Sequence, residues 1–155
     1  MSTVNSASAY GRTAVQKASL IAGIVFIVVG IAGFIPGLTH STEHLMAAGA
    51  ASEALLLGLF QVSVLHNIVH LLFGVAGLAA ASRPVAARMF LIWGGIVYFV
   101  LWIFGLFAVN NDALNFIPVN DADNWLHLVL AIGMVLAGVF LYRTSHEAAH
   151  DRPRV

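Results

Sequence analysis

The chain has 155 residues, of which 60% are hydrophobic and only 9% charged, with a formal net charge of zero and no cysteine. A water-facing domain usually carries about 25% charged residues, so most of this surface must meet lipid, and the neutral balance points to no nucleic-acid partner. The lack of cysteine excludes disulfides, thiolate metal sites, iron–sulfur ligation and cysteine nucleophiles.

Residues 1–12 are rich in Ser, Ala, Thr and Asn and are expected to be disordered. The first span is predicted over 13–35. Its apolar run is longer than a secretory h-region and ends in Ile35-Pro36-Gly37 rather than at a cleavage site, so it reads as a retained span. The first outer loop follows over 38–61. Its stretch from Glu43 to Leu59, rich in Ala and Leu, predicts a short extra helix at the interface or over the mouth of a bundle. The second span is predicted over 62–81, a tight turn at Ser82-Arg83-Pro84, the third span over 89–109, and a polar loop over 110–120. The fourth span is predicted over 121–142, capped by Asn120 or Asp121, with a polar tail over 143–155. Each run approaches the roughly 20 residues that a bilayer core requires, and none alternates like a barrel strand.

All seven Lys and Arg residues lie before the first long apolar run, between the second and third, or after the fourth, while the other two connections between the runs, counted up to Asp123, hold five of the seven acids. This is the positive-inside pattern of an all-α, four-span bundle with both tails cytoplasmic. The chain also repeats. Gly23-Ile24-Val25-Phe26 resembles Gly95-Ile96-Val97-Tyr98, with Gly33 matching Gly105, at an offset of 72; Asn67-x-x-His70-Leu71 resembles Asn124-x-x-His127-Leu128 at an offset of 57. The expected architecture is therefore two parallel helical-hairpin repeats. Small residues (Gly30, Gly33 and Gly37 on span one; Gly74, Gly77 and Ala81 on span two) predict close helix packing, within the bundle or in a homo-oligomer.

No Asp, Glu, Lys or Arg lies deep within a span, which argues against an ion-coupled transporter. The polar exceptions are His66, His70 and His127, all predicted in the outer third of the membrane. His66 and His70 share a helix face, with Asn67, Asn124, Asp121 and Asp123 expected nearby. Three readings stay open. The side chains form a hydrogen-bonded clasp between helices; or His66, His70 and His127 ligate zinc, copper or a b-type haem; or they line a site for a quinone, a lipid headgroup or protons. No nucleophile–base set stands out. A non-enzymatic structural or accessory protein of a membrane complex is the leading expectation.

The segments Gly33-Phe34-Ile35-Pro36-Gly37-Leu38-Thr39, Leu57-Gly58-Leu59-Phe60-Gln61-Val62, Leu65-His66-Asn67-Ile68-Val69-His70-Leu71 and Asp123-Asn124-Trp125-Leu126-His127-Leu128 resemble the domain of unknown function 4383 family, small bacterial four-span membrane proteins. The resemblance covers Gln16 to Phe140. Ser63, where the family pattern favours Asn, and Trp125, where an aliphatic residue is also usual, depart from it. It implies a bacterial plasma-membrane location and supplies no activity.

Overall fold

The computed structural model describes residues 10–150, with side chains up to Arg143. The tail expected to be disordered lies outside the described residues over 1–9.

Helix α1 spans Ala14–Ala32. It opens on a reciprocal cap: the Thr13 hydroxyl accepts from the Gln16 amide, and the Gln16 side chain accepts from the Thr13 amide. It stops three residues short of the predicted end. Pro36 cannot extend a helix and disfavours helical backbone at Ile35, and Gly37 turns the chain at φ +92°.

The following connection corrects the expected extra helix. Only one 3-10 turn forms there, Thr42–His44. The rest is a small antiparallel sheet of β1 (Thr39–His40), β2 (Leu55–Leu56) and β3 (Phe60–Gln61), in the order β1-β2-β3. Leu57 and Gly58 take positive φ in the turn between β2 and β3, a backbone no helix accepts. The segment is tied down by polar bonds. The buried Ser52 hydroxyl donates to the Val62 carbonyl at 2.6 Å and accepts from the Met46 amide at 3.1 Å. The Gln61 amide donates to the Asp123 carboxylate at 2.9 Å.

Helix α2 (Val64–Ala80) starts at Ser63, whose hydroxyl accepts from the His66 amide. Serine and asparagine cap equally well, so the departure at Ser63 preserves that job. Helix α3 (Pro84–Ala108) begins five residues before the predicted start, because Pro84 at its first turn initiates helix rather than closing the preceding turn. Helix α4 (Asp121–His150) runs past the predicted boundary into the polar tail, since charge ends a span without ending a helix. Asn120 and Asp123 cap it reciprocally. Three helical stretches, Ala14–Ala32, Pro84–Ala108 and Asp121–Arg143, are long and apolar enough to cross a membrane, while α2 is apolar but has 17 residues. At 1.5 Å per residue that is about 25 Å.

The bundle is apolar outside, with Ile21, Val28, Leu72, Val100, Val129 and Phe140 all at least half exposed. Its interior is small and polar in places. The α1 and α2 helices pack mainly on each other, as do α3 and α4. Both pairs are antiparallel. The Gln16 side-chain amide donates to the Ala81 carbonyl and the Ser19 hydroxyl to the Gly77 carbonyl, each at 2.9 Å. A Cβ at Gly23 would stand 2.7 Å from the Leu78 nitrogen and 2.9 Å from the Gly74 oxygen. One at Gly95 would stand 3.1 Å from the Val135 nitrogen and 2.9 Å from the Ala131 oxygen. The small-residue stripes of α1 and α2 are thus largely spent within the chain, Gly23 and Gly33 against α2 and Gly74 and Gly77 against α1.

Candidate functional site

Five aromatic rings from all four helices form a closed circuit inside the bundle. His66 stacks on His70 with ring centres 4.6 Å apart; His70 stacks on Phe26 at 5.8 Å; Phe26 stacks on Tyr98 at 5.6 Å, with planes 5° apart. Tyr98 then meets His127 at 5.2 Å, and His127 faces His66 at 6.5 Å. The α-helical spacing of His66 and His70 puts both on one face of α2. The α4 cap sets the entry of the helix that carries His127. The flat, close Phe26–Tyr98 stack brings α1 to α3 at this depth.

Bonding among these groups is sparse. The His66 Nδ1 lies 3.1 Å from the Pro118 carbonyl in the loop before α4. A carbonyl only accepts, so Nδ1 carries the proton there. The Nδ1 atoms of His70 and His127 are buried with no hydrogen-bond partner among the described residues, as are the Asn67 Nδ2 and the Asn124 Oδ1. The two asparagines press on glycines instead: a Cβ at Gly33 would overlap the Asn67 side chain, and one at Gly105 the Asn124 side chain. These atoms do not make the hydrogen-bonded clasp between helices that the residue types suggest. Asp123 is buried but satisfied by the amides of Gln61 and Asn120. Asp121 is exposed at the helix start, away from the rings.

Beside the ring circuit is a cavity of about 360 Å³. Its walls are His66, Val69, His70 and Phe73 of α2, Val97, Tyr98, Val100, Leu101 and Phe104 of α3, Phe116, Ile117 and Val119 of the loop before α4, and His127. No charged side chain lines it. Val97 and Val100 line it and are also 43% and 58% exposed on the outer face of α3. The cavity therefore opens sideways between α2 and α3, a pair that packs far less closely than α1 with α2 or α3 with α4.

Among the described residues, no group of three or more His, Asp or Glu side chains is placed so that it could hold a metal ion. The near-parallel stack of His66 on His70 explains this, because stacked rings aim their nitrogens alongside one another rather than at one point.

Reading the residues one at a time passes over Phe26 and Tyr98 as packing. Their signal is positional: they correspond at the offset of 72 residues, as His70 and His127 do at 57.

A family model described as domain of unknown function (DUF4383) matches residues 16–140. No curated protein and no solved structure matches the chain.

Proposed function

The chain belongs to the domain of unknown function (DUF4383) family, whose description supplies no activity, and from its geometry we propose an intramembrane binding site for a small, uncharged, lipophilic molecule. The observation that carries this is the side-opening cavity, which joins an apolar, aromatic wall to the three imidazoles of His66, His70 and His127. Binding sites of this kind are largely preformed, mostly apolar, and fixed in orientation by a few polar groups. Purified protein should bind a neutral aromatic probe such as pyrene saturably, and Val97→Trp at the mouth should abolish that binding. Non-saturable partitioning that is identical in parent and variant would overturn the proposal.

The site sits in a bacterial plasma-membrane bundle of four spans with both tails cytoplasmic. Three helices have the length and apolarity to cross, and the short α2 is preceded at its N-terminal end by strand β3 of the small sheet. Because the chain has no cysteine, single cysteines report topology cleanly. Glu53→Cys and Asp112→Cys should label with an impermeant maleimide on intact cells, and Ser82→Cys only after permeabilisation. The reverse pattern would invert the bundle.

Two parallel hairpin repeats underlie this arrangement in our reading. What supports it is the constancy of contacts at the two offsets. Gly23 meets Gly74 and Leu78 as Gly95 meets Ala131 and Val135, and Gly33 meets Asn67 as Gly105 meets Asn124. Phe26 and Tyr98 stack on each other, each with its own histidine on its outer side, His70 and His127.

One observation favours a second reading, zinc or copper at His66, His70 and His127. A metal-bound imidazole usually gives its other N–H to a carbonyl or carboxylate, as His66 does to Pro118. It requires the stacked rings to turn. Elemental analysis of the purified protein decides it, and a Soret absorbance band would point to haem instead.

A further inference from the structure

We infer that the molecule held in the cavity is a quinone: a flat, uncharged ring with carbonyl oxygens and an apolar tail that leaves through the gap between α2 and α3. This rests on the cavity being a binding site, and it adds the chemical class.

Charge narrows the class first. With no Lys, Arg, Asp or Glu in the wall, a fatty acid or a phosphate headgroup would bury an unpaired charge, which is costly. Shape narrows it further. Phe73, Tyr98, Phe104 and Phe116 stand in the wall, and aromatic side chains favour offset or edge contacts with a flat ring. About 360 Å³ suits a ring but not a long chain. The exposed Val97 and Val100 mark where a chain would exit towards lipid.

The imidazoles supply the polar complement. A buried N–H without an acceptor is rarer than an unfilled lone pair, so we assign the unpartnered Nδ1 atoms of His70 and His127 as lone pairs. That puts the proton of each ring on Nε2, making two N–H donors. His66 has the opposite arrangement. Its Nδ1–H is held by Pro118, which leaves Nε2 as an acceptor. Two donors suit carbonyl oxygens, which only accept. The one acceptor at His66 suits the hydroxyl that a carbonyl becomes on reduction, so the same walls tolerate either redox form. A sterol offers a single hydroxyl on a thick alicyclic skeleton and matches neither the flat walls nor the paired donors.

The full chain, purified in mild detergent, would be titrated with a decyl-substituted benzoquinone, followed by tryptophan quenching and thermal unfolding. Decanol, a fatty acid and a sterol serve as comparisons. Saturable quinone binding is expected, with a raised melting temperature. His70→Leu and His127→Leu should each weaken it about tenfold, the equivalent of about 1.4 kcal/mol, while unfolding of the unliganded protein shifts little because neither Nδ1 loses a partner. Val100→Trp, on the lipid-facing rim, should block binding without affecting folding, so the outcome does not depend on the histidine variants alone. If decanol or the sterol binds as tightly as the quinone and Val100→Trp blocks them equally, the cavity is a binding site and the quinone assignment falls. If no probe binds saturably, both fall.

Discussion

Gly23→Leu should leave no folded monomer in detergent, and Gly23→Ala should lower stability by about 2–3 kcal/mol, the upper part of the range for forcing extra atoms into a packed interior. The added Cβ would meet the Leu78 nitrogen at 2.7 Å and the Gly74 oxygen at 2.9 Å. Both are main-chain atoms of α2, so no rotamer change relieves the overlap. The helices must move apart, and with them go the Ser19 bond to the Gly77 carbonyl and the Gln16 bond to the Ala81 carbonyl. In lipid, helices associate through packing and such bonds rather than through release of water, so separation has little to offset it. Gly95→Ala should cost somewhat less. Its nearest obstacle is a Val135 methyl at 2.7 Å, a side-chain group with some freedom, ahead of the Ala131 oxygen at 2.9 Å. Gly133→Ala is the control. Nothing lies within 4 Å of its added Cβ, and alanine gains up to about 1 kcal/mol over glycine inside a helix. Unfolding in graded denaturing detergent, followed by circular dichroism, measures all three. A Gly23→Ala protein as stable as the parent would show that α1 and α2 are not in backbone contact.

How much of this could be read in advance depended on how local each signal was. Helical spans announce themselves in consecutive residues, so α1 to α4 were legible from hydropathy, and the arginines at 83 and 88 located the turn between α2 and α3 within a few residues. The Glu43–Leu59 segment misled because its alanines and leucines are good helix formers. What decides its structure is distant or conformational: Thr39 pairs with Leu56, and Leu57 takes a positive φ that leucine rarely adopts. The histidines were conspicuous as polar residues in apolar runs. Phe26 and Tyr98 were not, because an aromatic residue in a membrane helix needs no special explanation; only their matching places in the two halves set them apart. The cavity has no sequence signal at all. It results from the wider spacing between α2 and α3 and from the path of the loop carrying Phe116 and Pro118.

Phe26→Ala should cost about 3 kcal/mol and spoil the site from behind. Removing a buried phenylalanine costs about 3–5 kcal/mol in soluble cores. The lower figure suits a chain whose unfolded state stays in lipid, where the transfer contribution shrinks and lost dispersion contacts dominate. Phe26 is 3% exposed and touches three other rings: His70 at 5.8 Å, Tyr98 at 5.6 Å and Phe73 at 5.7 Å. Two of these, Tyr98 and Phe73, also meet each other edge-on at 5.6 Å. All three line the cavity, while Phe26 does not. It therefore acts as the backing that holds three wall residues in place. Two measurements separate this role from generic destabilisation. In Phe26→Leu, which restores most of the volume but not the flat stack, stability should recover by more than half while binding of the neutral aromatic probe stays weak. Tyr98→Phe keeps the stack and should preserve both stability and probe binding. If Phe26→Leu binds the probe as well as the parent does, the flat stack plays no part in shaping the site, and the ring circuit is core packing alone.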